Sequence, residues 1–587
     1  MAIATLEELD RERPAPGQRR TRRPARSAFA RIVPGGVAGI GLSYLVLVPL
    51  AFLLWSSFTT NGLPQSGSLT LQHWTTVYGD ANTYRLILKT LEFAGGSAAV
   101  AMVLGTTLTW LVERSDMPGR RLLRIFMLLP MAMPPVLVAI GWVLLAGPSI
   151  GPYNTIAKFL GLASIFKVFS LQGMIFVLGI SVMPTTYLIL GPAFRNVDPS
   201  YEEAALAVGA SPFYAFRRIL LPVLLPALLS TFSYVFILAA TVFDIPGILG
   251  TPSGTYVLSS QVYADLNPPA GFPDYGNVSA LAMVFVVLLL AVSLFYRHQT
   301  RRAERFVTVT GRGWSRRRTK LRRWRIPAMI FAGLYSLGAV VAPLAILLYT
   351  SLLPYYRGFS FSMFSKLTWH NHAVLADSIG LRHAAEHSVI IAIVAASAVV
   401  VLSAAISWLV IRLKVPGGRA LDWLAFLPLA IPGIMIGLAL IYVYLTVHTF
   451  HLYATIWIIV IAVVTTSLAF GTRVTNSVLM QMHPELEEAA RVSGAGHGRV
   501  FRRVTFPLLR PALFGVWIWV ASSSLQNLSS ALVLQGRDNG VMATLLWQYW
   551  TGNEPLAAVA AGVWLSGALL VLLIVWDRFT PNVEGGY

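Results

Sequence analysis

The chain has 587 residues, 56% hydrophobic and only 12% charged, where soluble domains carry about 25% charge; that balance excludes an ordinary soluble enzyme and points to a membrane protein. A formal net charge of +20 would suit a nucleic-acid binder if the arginines covered one folded face. They crowd beside apolar runs instead, which leaves no role for nucleic acid and makes membrane orientation their explanation. Cysteine is absent, so disulfides, iron–sulfur clusters and thiol catalysis by this chain are excluded.

Residues 1–36 read as a basic tail with arginines from Arg11 to Arg31. The apolar run Val37 to Phe58 is longer than the core of a secretory signal and lacks a small-residue cleavage site, so it reads as a first span. Further spans are expected near Leu91 to Val112, Leu122 to Leu145, Leu171 to Leu190, Leu225 to Ile245 and Ala280 to Tyr296. Residues 297–325 form an arginine-rich linker with Glu304 as its only acid. Beyond it come spans near Ile326 to Leu352, Val389 to Ile411, Leu421 to Leu445, Ala454 to Phe470, Ala512 to Leu532 and Ala557 to Val575.

This predicts an all-α membrane protein of about twelve transmembrane helices, six in residues 37–296 and six in 326–587, with helical cores near 84–296 and 383–576. The positive-inside rule places the tail, the linker and the loops bearing Arg114, Arg120, Arg121, Arg412, Lys414 and Arg419 in the cytoplasm, with both termini. The segment Pro246 to Asn277 contains no lysine or arginine and is expected outside.

The halves repeat. Trp110, Leu111, Val112, Arg114, Pro118, Gly119, Pro130, Ala132 and Pro134 recur at a constant offset of 298 as Trp408, Leu409, Val410, Arg412, Pro416, Gly417, Pro428, Ala430 and Pro432. An even number of spans per half makes the repeats parallel. Between the fourth and fifth spans of each half, EEAALAVGASPFYAFRRILLP (Glu202 to Pro222) and EEAARVSGAGHGRVFRRVTFP (Glu487 to Pro507) recur at an offset of 285. Acidic charge suits the first turn of a helix, alanines allow close packing, and Gly209 or Gly494 ends it.

These loops resemble the EAA motif of permeases in binding-protein-dependent ABC importers. Glu203, Ala204, Ala205, Gly209, Ile219, Leu221 and Pro222 match fully; Glu488, Ala489, Ala490, Gly494 and Pro507 match, with Val504 and Phe506 as apolar replacements. The resemblance implies a type I permease fold in a prokaryotic inner membrane, whose short coupling helices dock into two copies of an ATP-binding subunit. ATP and Mg would be bound by those partners, with no cofactor in this chain, and an extracytoplasmic solute-binding protein would deliver substrate. The fused halves, the stretch Asp244 to Tyr263 and the PDYG at Pro273 to Gly276 look like fused permeases of the ferric-iron type, a grouping that extends to thiamine and phosphonate permeases; polyamines and other small solutes also stay open. Such permeases often carry an acid before a Leu-Ser pair, where this chain has Asn527 before Leu528 and Ser529.

No GxxxxGK[ST] loop is present, so the chain is not expected to hydrolyse ATP itself. Intramembrane polar groups are functional candidates because lipid penalises them; Asp244, paired by the 285 offset with Ser529 near Gln526 and Asn527, is the candidate translocation path, with helix capping at the outer interface as the alternative. Phe216, Arg217, Arg218, Phe501, Arg502 and Arg503 also recur, where arginines would meet membrane lipid headgroups or the ATPase. His383, Glu386 and His387 fit the H-x-x-E-H pattern of some zinc peptidases, but the histidines are not repeated and begin a span, which favours a membrane-interface role. An ion-gradient carrier would share the two parallel repeats but has no use for two EAA loops.

Overall fold

The computed structural model describes residues 25–64, 67–161, 166–198, 204–205, 207–303, 319–447, 451–483 and 485–579. Among them the protein is helical, with no strand and two isolated bridges, Thr59 with Leu69 and Ser115 with Thr319. Backbone polar groups in hydrocarbon must be satisfied within the segment, which selects helices for a chain this apolar. Nine helices among the described residues are long and apolar enough to cross a membrane, and three bent pairs bring the number to twelve when each pair counts as one crossing. Each of the twelve runs read from the sequence falls on one of these.

Two of these twelve crossings are sharply broken at proline. Arg120–Ala132 and Pro135–Ala146 meet at 107°, and Gly418–Ala430 and Gly433–Thr446 meet at 111°. The cause is local: proline disfavours a helical conformation in the residue before it, and Met133 and Ile431, which precede Pro134 and Pro432, are extended. Pro135–Ala146 has 12 residues, about 18 Å of helix against a hydrocarbon core of about 30 Å. Protein surrounds it, since every residue after Pro135 is buried. The fourth run also bends, by 46° between Leu171–Ser181 and Met183–Arg195, just before Pro184.

Within each half one long helix is the hub. Ala81–Glu113 packs on Leu171–Ser181, Met183–Asn196 and Leu221–Thr241; Ile379–Ser407 packs on Ile456–Gln481 and Phe506–Leu525. Close approach depends on small residues. A Cβ on Gly105 would lie 2.5 Å from Thr186 Cγ2, and one on Gly471 3.1 Å from Ser403 Cβ. Gly105 corresponds to Ser403 and Thr186 to Gly471, so each half spends one glycine at this crossing, on opposite helices.

The halves are interlocked. Ala25–Ser56 of the first half packs against Gly433–Thr446 of the second, and Ala342–Ser351 of the second packs against Pro135–Ala146 of the first. Tyr44 donates to the Tyr444 hydroxyl at 3.2 Å, and Tyr153 to Gly338 O at 2.8 Å. The leading span of each half thus covers the broken, central helix of the other.

Candidate functional site

The described residues of the two EAA loops fold alike. In the second, Glu485–Val492 is a short helix with Glu485, Glu487 and Glu488 in its first turn and Arg491 in its last, matching both ends of its dipole. Gly494 follows at φ +84°, and the first loop has Gly209 at +89°. Ala210 N donates to Ala205 O at 3.0 Å and Ala495 N to Ala490 O at 3.1 Å, the bond across six residues that closes a helix on a left-handed residue. That conformation is why glycine stands there: a Cβ at either position would have nothing within 4 Å, so the backbone, not space, sets the requirement. Glu203 lies outside the described residues. Ala204, Glu488 and Ala489 are exposed, Ala490 is half-buried and Ala205 buried, while Val208 and Val492 stand 85% and 90% exposed beside the glycines.

Two residues separate each glycine from the helix of the fifth span, which begins at Pro212 and His497. Pro222 and Pro507 each lie inside a continuous helix, Phe213–Thr241 and Gly498–Leu525. A π turn precedes each proline, Phe216–Leu220 and Phe501–Thr505, and this wider turn accommodates a residue that cannot donate.

Each loop is clamped to the core at equivalent points. Trp110 packs on Phe216 with ring centroids 5.0 Å apart, and Trp408 on Phe501 at 5.1 Å. Buried Arg114 donates from Nη1 to Val197 O at 3.0 Å; Arg412 donates from Nη2 to Leu479 O and Met482 O, both at 2.9 Å. Val197 and Met482 correspond at the 285 offset. Arg412 Nε also lies 3.1 Å from Glu487 Oε1, which accepts from Thr505 Oγ1 at 2.9 Å. This ion pair joins the hub end, the coupling helix and the fifth span, and reading charge only as an orientation signal missed it. The available signal was that Arg114 and Arg412 recur, as do Glu202 and Glu487.

On the opposite side of the bundle, equivalent residues from the two halves face one another, as residues near a pseudo-twofold axis must. Ser529 Oγ donates to Asp244 Oδ2 at 3.5 Å. Tyr263 and Trp547, equivalent by an offset of 284, stand edge to face at 5.8 Å with Phe243 against both, and Gly247 admits the Trp547 ring. Asp244 is 6% exposed, and its Oδ1 is buried without a hydrogen-bond partner. The helices Leu258–Leu266 and Met542–Thr551 cover this layer, each tied to its hub by matching bonds: Leu258 N donates to Thr90 Oγ1 and Met542 N to Ser388 Oγ, both at 2.9 Å.

Of the four path candidates, the fold joins Asp244 and Ser529. Asn527 caps Ser529–Leu534, accepting from Ser530 N at 3.2 Å and Ser530 Oγ at 2.8 Å. Gln526 donates to Ser522 O at 3.2 Å and borders a cavity of about 60 Å³ beside Met131, Trp519 and Leu569. His383 and Glu386 approach only to 3.8 Å, His387 Nδ1 lies 3.0 Å from Gly540 O, and among the described residues no group of three or more His, Cys, Asp or Glu could hold a metal ion.

Comparison with known proteins agrees with this architecture. Residues 98–305 and 388–584 each match the family described as "Binding-protein-dependent transport system inner membrane component". The chain is 25% identical over 510 residues to the ferric transport system permease protein FbpB of Actinobacillus pleuropneumoniae, covering 85% of this chain and 72% of that one. It is 26% identical over 472 residues to a putative ferric transport system permease protein of Haemophilus influenzae, covering 78% and 71%. A solved bacterial alginate ABC transporter aligns with 45% of this chain and 97% of its own at 17% identity and a TM-score of 0.37. The two family matches together span well over half of the chain, which is therefore a multi-pass inner-membrane permease of the binding-protein-dependent ABC importers with both halves fused in one polypeptide.

Proposed function

We propose that this permease imports ferric iron, driven by ATP hydrolysed in a separate subunit. Two copies of that ATPase, holding ATP and Mg, dock on the coupling helices around Ala204, Ala205, Ala489 and Ala490. A solute-binding protein presents the cargo at the opposite face, and both termini lie in the cytoplasm. The observation that carries this reading is the pair of glycine-closed coupling loops, each pinned by an arginine, buried Arg114 or half-buried Arg412, and an aromatic pair to the long helix of its own half. A push on either loop therefore reaches a core helix directly, without slack.

Closure of the ATPases would draw the loops together and part the layer of Asp244, Ser529, Tyr263 and Trp547, opening the path to the binding protein. Their separation would close that layer and release cargo inward. Asp244 and Ser529 are the residues of this chain assigned to the path. Iron as cargo is supported by relatives called ferric transport permeases that align over most of the chain; thiamine, phosphonates and polyamines are the competing solutes. The test is uptake by vesicles holding this chain, its ATPase and its binding protein. ATP-dependent accumulation of ferric iron, not outcompeted by thiamine, phosphonate or spermidine, is expected; accumulation of one of those solutes in place of iron would overturn the assignment.

A further inference from the structure

The linker between the halves returns to the bundle at one defined place. Thr319 N donates to Arg114 O at 2.9 Å, Asp116 N donates to Thr319 O at 3.2 Å, and Leu321 N donates to Asp116 Oδ1 at 2.9 Å. Thr319 and Leu321 are buried by this bridge, 7% and 2% exposed. The intervening and following residues, Lys320, Arg322, Arg323 and Arg325, are all exposed, as is Trp324. Arg322 holds a left-handed backbone, φ +47°, a conformation an L side chain adopts only when its surroundings impose it. Among the described residues no acidic side chain pairs with any of the four cations.

Directly beyond them the helix Arg325–Leu334 presents Ile326, Ile330 and Leu334 as an exposed apolar stripe at helical spacing, with Met329 beside it. Within a membrane protein such a stripe faces acyl chains, which places the four cations and the indole at the level of the headgroups. Four cations within six residues next to a span are the pattern that attracts anionic lipid.

We propose that Lys320, Arg322, Arg323 and Arg325 form a binding site for the headgroup of an anionic phospholipid, held in shape by the bridge from Thr319 and Leu321 to Arg114 and Asp116. Charge complementarity and continuity with the acyl-facing stripe select a lipid over a free anion. Arg114 also holds Val197 at the first coupling loop, so the bridge that shapes the lipid site and the clamp on that loop share one residue. The site is independent of cargo and of the ATPase, and can be tested on the permease alone.

Delipidated full-length chain in neutral detergent, titrated with phosphatidylglycerol, phosphatidylcholine or inorganic phosphate and read by native mass spectrometry, gives the test. Each cation near an anionic surface is worth roughly a fivefold change in binding. Half-saturation by phosphatidylglycerol at a concentration at least about tenfold below that for phosphatidylcholine is therefore expected. The quadruple variant K320Q/R322Q/R323Q/R325Q should lose that preference and K320Q/R323Q should lose part of it, while K158Q/R382Q, which removes exposed cations elsewhere, should keep it. If the quadruple variant does not insert, the double variant decides. An unchanged preference in the cation-depleted variants, or inorganic phosphate displacing the lipid at equal concentration, would overturn the proposal.

Discussion

Gly209 and Gly494 differ from the glycines of the helix crossings because nothing crowds them: only φ values of +89° and +84° demand the residue. Alanine at either position costs about 1–2 kcal/mol of backbone strain, too little to unfold a bundle of this size but enough to fray the end of an eight-residue coupling helix. Gly209→Ala and Gly494→Ala are each predicted to lower ATP-dependent uptake severalfold at unchanged membrane yield. Gly254→Ala, at φ +64° with equally open space, carries the same strain away from the loops and should leave uptake intact; equal losses in all three would show that strain in general, not coupling, is responsible. Glu487 makes a second residue-scale case. Glu487→Gln removes the charge facing Arg412 Nε and weakens a partly buried ion pair by about 1–3 kcal/mol, so ATP hydrolysis by the assembled complex should continue while uptake falls. Arg412→Lys should not restore it, since one ammonium cannot reach Leu479 O, Met482 O and Glu487 together as the guanidinium does.

At the scale of helices, the crossing of each hub with the fourth span offers a test that a generic account of packing would not make. Gly105 meets Thr186 in the first half, and Ser403 meets Gly471 in the second. Gly105→Ser alone overpacks the contact and should cost about 1–3 kcal/mol. Adding Thr186→Gly recreates the second half's arrangement and should recover most of that loss in a thermal unfolding assay of the purified permease; additive destabilisation in the double variant would contradict the equivalence. The crossings themselves were legible because long apolar runs between charged loops leave lipid-spanning helices as their physical solution. Their shape was less so. Pro134 and Pro432 announced a disturbance, but whether a proline kinks a helix or turns it by more than 100° depends on the packing around it, and that is supplied by the leading span of the opposite half.

For the whole molecule, the repeat offsets carried more than the residue types did. The 285 offset paired Asp244 with Ser529 before any fold was known, and residues equivalent under a twofold meet only when they lie near its axis, as these do at 3.5 Å. Gln526 and Asn527 stand out by polarity and proximity in sequence, and both make hydrogen bonds at local helix ends. The Arg412–Glu487 pair stayed hidden because its partners are 75 residues apart and each already had an explanation of its own, one as an orientation charge and one as a helix-opening acid. Absence of cysteine makes the axis accessible to a clean experiment. Asp244→Cys with Ser529→Cys should cross-link under mild oxidation when the complex is free of nucleotide, and the yield should drop when the ATPases are trapped closed with ATP; a yield indifferent to nucleotide would mean that this layer does not open.

The central claim, that ATP drives transport through two coupling loops at once, is met most directly by uptake in vesicles containing the chain, its ATPase and its binding protein, with wild type set beside a Gly209→Asp, Gly494→Asp double variant. The account predicts ATP-dependent accumulation in wild type and its loss in a double variant that is still inserted. Unchanged uptake in the double variant, or wild-type uptake that runs on an ion gradient without ATP, would contradict it.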